Sequence, residues 1–429
     1  MNQQELVEKL AKAGKVKVGP GSLVLILLGV VGLGVGFFGG SANVGFVALY
    51  VSTAMAMGLG MFGALLSAIF ELTGAKWGRP YRRLAEGSVV LMPIGLAGLL
   101  VLLIGAGSFV PWLHAHTEFE GGKALWLSRG FWSARLLVSL GIAYATGLTF
   151  VYYSIRRDFC VEGVRETFTS GLGKWLSKGI KDTAAESERC SRKLVVLAPV
   201  VAIVYALTFT MLGFDFIMAL EPGWFSTLFG AWYFIGHLLS GMALLAVVSL
   251  ILGKPMGLTD YLTEKRQRDL ATLLLAFVLV NVDFFWSQYL TIWYGNLPEE
   301  TEYIVTRVLD THLPWSGFSY LALFCFFLIP MASLIFQKVK LTKHLLIPVA
   351  LIVVSGIFLA RLLEIAPPIL QIKPGYSPGD IARPIVSAVL VLFGFAGLGW
   401  RLYRRLLSSV PMMPVGDTIF ARIASEHHD

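Results

Sequence analysis

Ten separate apolar runs dominate this sequence, at about 22–39, 43–70, 88–112, 130–155, 194–220, 224–251, 270–294, 316–336, 344–364 and 383–403. Each is long enough to cross a hydrocarbon layer about 30 Å thick as a helix, because a crossing takes about 20 residues at 1.5 Å apiece. None shows the ten-residue alternation of a barrel strand. With 56% hydrophobic and only 14% charged residues among 429, the chain carries more apolar surface than a soluble core of this length can hide. The expected fold class is an all-α polytopic membrane protein with about ten transmembrane helices.

The loops divide the chain into a basic lead (1–21), helices one to four (22–155), a long basic loop (156–193), helices five to ten (194–403) and a tail (404–429). Most of the 35 Lys and Arg fall in the lead, the tail and the loops after helices two, four, six and eight. Such a bias places both termini in the cytoplasm. Around GLGKWLSKGIKD the long loop is amphipathic and reads as an interfacial helix on anionic lipid. The opposite loops are acidic, with Glu118, Glu120, Glu221, Glu299, Glu300, Glu302 and Asp310, which suits a solvated surface or a docking face. Gly40, Ser41 and Ala42 imitate a cleavage site, but the second apolar run follows at once, which favours a retained helical hairpin. Small residues in LGVVGLGVGFFGG and MAMGLGMFG allow close helix approach.

Chemistry concentrates in the stretch from Gly213 to Gly241. Asp215 precedes Glu221 by six residues, and Pro222 with Gly223 ends the fifth helix. Trp224 and Phe225 read as markers of a membrane–water interface. His237 then falls about 13 residues further, some 20 Å into the sixth helix. Asp283 lies at similar depth on helix seven, with Asn281 and Gln288 nearby. A carboxylate there costs several kcal/mol unless neutral, paired or wetted. His237 and Asp283 are therefore expected to form a proton-carrying pair or an interhelical hydrogen bond. Arg135, Asp215, Glu221, Arg361 and Glu364 are candidates to extend a relay outward. Arg361 and Glu364, three apart, also suit simple mutual neutralisation.

Several functions are excluded or disfavoured. Cys160, Cys190 and Cys325 form no CxxC pair and no ligand spacing for zinc or an iron–sulfur cluster. Bis-histidine haem needs matched histidines deep in facing helices, whereas His114, His116 and His312 fall in loops. No phosphate loop, nucleophile elbow or HExxH pattern occurs. The net charge of +8 resides in topology-setting loops, without a basic, aromatic-interleaved helix for nucleic acid. The expectation is that no cofactor is bound by this chain.

Two stretches carry a family resemblance. Asp215, Met218, Leu220, Glu221, Pro222, Trp224, Phe225, Ser226 and Thr227 resemble the signature DxxMSLEPHWFST of an integral subunit of bacterial alternative complex III. FWSQYLTIWYGNLPEET, 285–301, is similar to that subunit's other hallmark. The likeness is to the ActF type of the NrfD/PsrC-like family. It implies two four-helix bundles, helices two to five and six to nine, flanked by helices one and ten. It also implies a non-haem scaffold and candidate proton-translocation path within a quinol:electron acceptor oxidoreductase. Implied partners are a larger NrfD-like sister subunit and, on the periplasmic side, iron–sulfur and c-type cytochrome subunits that hold the clusters and haem c. Quinol or quinone is a candidate contact. Carried onto this chain, the proton-transfer candidates are His237, Asp283, Asp215 and Glu221. Ala219 and Gly223 replace the signature's Ser and His, and Thr272 stands where a family lysine ends the pattern His-Asp-Leu-Gly-Lys.

Two other readings compete with this one. A quinone-interacting anchor of another respiratory complex would contact quinone itself. A stand-alone proton-coupled transporter would be expected to break its helices near mid-membrane, whereas Pro and Gly here fall mainly at helix ends.

Overall fold

The computed structural model describes residues 20–115, 117–256, 258–309 and 313–426. The chain is 82% helical, with no strand among the described residues. Among the described residues, ten helices are long and apolar enough to cross a membrane. They are α1 (Gly21–Phe38), α2 (Asn43–Thr73), α3 (Arg79–Phe109), α4 (Arg129–Asp158) and α5 (Thr183–Leu220), followed by α6 (Phe229–Leu252), α7 (Glu264–Gly295), α8 (Trp315–Leu334), α9 (Lys343–Leu370) and α10 (Pro378–Ser409). Ten crossings bring the start of α1 and the end of α10 to one side, here called the terminal face, opposite the far face.

Helices α2 to α5 form one bundle and α6 to α9 a second, joined through α2, which packs on α5, α6 and α9. Helix α10 lies against α1 and α2 at the edge. The glycine runs act as their composition suggests: a Cβ on Gly29 would stand 2.5 Å from the Cα of Gly394, so α1 and α10 touch backbone to backbone. Helix α2 is almost wholly buried, and its small residues make that central position sterically available.

Some boundaries differ from the sequence reading. Helix α5 starts at Thr183, eleven residues before its apolar run, because Asp182 caps the amides of Ala184 and Ala185 and the charged first turns stand beyond the apolar layer. The basic loop is correspondingly shorter and contains a one-to-two-turn helix, Gly171–Ser177, with Leu176 buried and Trp175 exposed. Helix α6 starts at Phe229, since Glu221 to Leu228 follow the Pro222–Gly223 break as turns. His116, Asp310 and His312 lie outside the described residues.

A charged cluster closes the terminal face of the first bundle. Arg79 and Arg82 share Glu71 and Asp417, at 2.7 to 3.0 Å. Arg82 also reaches Glu86 at 3.0 Å, and Arg157 reaches Asp417 at 2.9 Å. Arg83 bridges Glu86 and Asp158. Beyond α10 the tail folds back so that Met412, Met413 and Phe420 are buried beside this network. Burial pushes the Asp417 carboxyl up, but the three arginines outweigh it and hold the group below its ordinary value.

Candidate functional site

The signature stretch joins the two bundles. After α5 loosens into a π-turn at Gly213–Ile217, Asp215 accepts hydrogen bonds from Arg135 Nε at 2.8 Å and Nη2 at 2.7 Å. Trp126 donates to the same carboxylate at 3.2 Å, and its ring lies 3.7 Å from the Arg135 guanidinium. Asp215 is thus a clamp within the first bundle. Six residues on, Glu221 pairs with Arg307, which follows α7, in the second bundle.

Trp224 is buried: the Pro222–Gly223 turn directs it inward, where it stacks on Tyr303 at 3.8 Å, while Phe225 is exposed. Ser226 donates to Gln288 at 3.0 Å, so the two stretches that carry the resemblance meet in space.

Arg307 was not singled out by sequence, although it is the basic residue in an otherwise acidic segment, Glu299 to Asp310. It donates to the carbonyls of Leu363 at 2.9 Å and Tyr303 at 3.2 Å. Burial would pull its guanidinium down, but Tyr303 and Glu221 outweigh that and hold it above its ordinary value. Burial pushes the Tyr303 phenol up.

Deeper in the second bundle lie Arg361 and Glu364 of α9, both buried, with Nη1 of the former 2.8 Å from Oε2 of the latter. The expected neutralising pair therefore exists, yet the contact is off the hydrogen-bonding angle, and neither side chain has a hydrogen-bond partner among the described residues. The guanidinium sits 4.5 Å over the ring of Tyr233 and 5.4 Å from that of Trp232. One turn along α6, His237 is fully buried, its ring 4.6 Å from Tyr233 and 5.9 Å from Phe209. Both of its nitrogens lack hydrogen-bond partners among the described residues. Gly58 of α2 makes this fit possible, because a Cβ there would lie 2.1 Å from the imidazole. Gly236 does the same for Arg361, whose Nη2 would stand 3.1 Å from an added Cβ, with Asn281 Oδ1 at 3.6 Å.

The expected pairing of His237 with Asp283 does not form. Asn281 occupies the inward face of α7 and Asp283, two residues later, is turned outward and exposed, because adjacent positions of a helix differ by about 100°. Helical facing was not readable from a count of residues along the helix.

A cavity of about 80 Å³ borders this cluster, lined in part by Glu364, Arg307, Tyr303, Gln288, Ser319 and Trp232. At roughly 30 Å³ per water in the liquid it has room for two or three. A separate apolar groove of about 480 Å³ runs between the bundles, past Met55, Phe62, Phe358, Phe393 and Trp400. Among the described residues no three His, Cys, Asp or Glu gather as a metal-binding set.

The fold and site define a polytopic helical membrane protein with a line of ionisable groups inside its second bundle. No protein-family model matches the sequence, and no curated protein matches it.

Proposed function

We propose that this chain is a non-haem integral subunit of a respiratory quinol:electron acceptor oxidoreductase of the alternative complex III type, serving as scaffold and proton path. In this reading it sits in a bacterial plasma membrane with both termini cytoplasmic. It assembles with a larger NrfD-like subunit, and with iron–sulfur and c-type cytochrome subunits against the acidic far face. The observation that carries the proton role is the buried succession His237, Arg361, Glu364, Arg307 and Glu221. Its inner members have unsatisfied polar atoms and its middle borders a cavity sized for water.

Within that succession the roles differ by chemistry. Arg361 and Arg307 stay charged and supply fixed positive potential. Glu364 is the exchangeable carboxyl, bordering the cavity on one side and Arg361 on the other. His237 can accept a proton on one nitrogen while releasing one from the other. Glu221, with its side chain 28% exposed, communicates with the far face. Asp215 serves as the bundle clamp, with its charge committed to Arg135.

Purification in mild detergent is expected to recover the chain with a multihaem c protein and an iron–sulfur protein; recovery as a monodisperse monomer would overturn the assembly. Within assembled complexes, Glu364→Gln and His237→Phe are expected to lower the proton-to-electron ratio while quinol oxidation continues. An unchanged ratio in both leaves the scaffold role alone.

One observation favours the reading as a quinone-contacting anchor. The 480 Å³ apolar groove falls within the roughly 300–1,000 Å³ usual for small-molecule sites. Labelling of Trp400 by a photoreactive quinone would support it, and labelling only of partner subunits would remove it.

A further inference from the structure

Helix α7 presents an outward stripe of exposed residues, Ala276, Leu279, Asp283, Trp286, Leu290 and Trp293, at alternating spacings of three and four. Any lipid-facing helix shows such a stripe, so the spacing alone assigns nothing. Asp283 is what sets this one apart. The other ionisable groups well inside the spans are turned inward: His237 and Arg361 are 0% exposed, and Asp215 and Glu364 3%. Asp283 is exposed and no hydrogen bond or ion pair joins it to any described residue. Counted along the apolar run 270–294, it lies 11 residues from the nearer end, about 16 Å at 1.5 Å per residue, which is farther than an aspartate side chain extends. Lipid tails offer no donor at that depth.

We propose that this face of α7 docks a transmembrane helix of a partner protein, and that the partner presents a Lys or Arg to Asp283 at mid-membrane. Opposite charge is the complement that makes the carboxylate tolerable there. A second copy of this chain fits poorly, because two-fold pairing through the stripe would set Asp283 against its own like charge. Leu279, Trp286 and Leu290 would pack around the ion pair as knobs at heptad spacing. The inference rests on the reading that the chain works in a membrane assembly, but not on what that assembly oxidises.

The test uses native membranes carrying the full chain with a benzophenone amino acid at Leu279 or Trp286, and at Ile142 of α4 as an outward-facing control. The expected adduct maps to one transmembrane segment bearing a Lys or Arg within a helical turn of the attachment point. Asp283→Lys should reduce that adduct at least tenfold, and replacing the partner's basic residue with Glu should restore it. Asp283→Asn, which keeps hydrogen bonding without charge, should reduce it less. Adducts to lipid alone, to a second copy, or to a helix lacking a basic residue overturn the proposal, as does indifference to Asp283→Lys. If haem and iron–sulfur subunits co-purify while Trp286 meets only lipid, the docking face fails and the proposed function stands. If the basic helix is found in an assembly without quinol oxidation, the function fails and the docking face stands.

Discussion

At the terminal face Arg82 meets three carboxylates, whereas in the second bundle Arg361 meets one, off angle, and His237 meets no hydrogen-bond partner among the described residues. Both regions are buried, so burial does not separate them. Saturation does. A network in which the charges are shared among several partners resists change, because altering one group strands the others. A cluster with orphaned polar atoms has spare donor and acceptor capacity, which is what passing a proton requires.

Substitutions can break or sharpen that contrast. The largest effect is expected from Arg82→Leu, which leaves Glu71, Glu86 and Asp417 each short of a partner. A loss of about 3–5 kcal/mol should appear as a lowered unfolding midpoint in detergent. Gly58→Val drives a side chain into the imidazole of His237 and should cost about 1–3 kcal/mol by overpacking, read in the same assay. His237→Phe removes no hydrogen bond that the described residues make and roughly preserves shape. Its stability cost should stay below about 1.5 kcal/mol, even where proton coupling is lost. A cost near that of Arg82→Leu would show the cluster to be structural after all.

The smallest effect concerns pH. The folded-state pKa of Asp417 lies below its ordinary 3.8. Its stabilising contribution is therefore complete above that value and lost only as pH falls through the lower folded one. Acidification from about pH 7 to pH 4 should leave the tail docked, and further acidification should raise hydrogen exchange in residues 414–422. Release well above pH 4 would mean that the arginines do not hold this carboxylate as described.

All ten spans were legible because each apolar run reaches the roughly 17 residues that a crossing needs at least. Ends were less so: the segment TAAESERCSRK is helical but charged, and apolar counting stops where it begins. At the site, depth could be counted from helix ends, which found His237, Arg361 and Glu364. Facing could not, and so Asn281 and Asp283 exchanged roles. Arg307 comes to Glu221 across 86 positions of sequence, a distance that no local pattern spans. The terminal-face arginines read as topology signals because the carboxylates that surround them come from four separate stretches, ending with Asp417.

That last contribution has a consequence for how the molecule is made. Asp417 follows all ten described spans in sequence, so until it is made Arg79, Arg82 and Arg157 lack a counterion that they share in the folded protein. The tail works as a closing latch, and a chain cut short before residue 417 would be inserted but left unfastened at its terminal face, exposed to quality-control proteolysis.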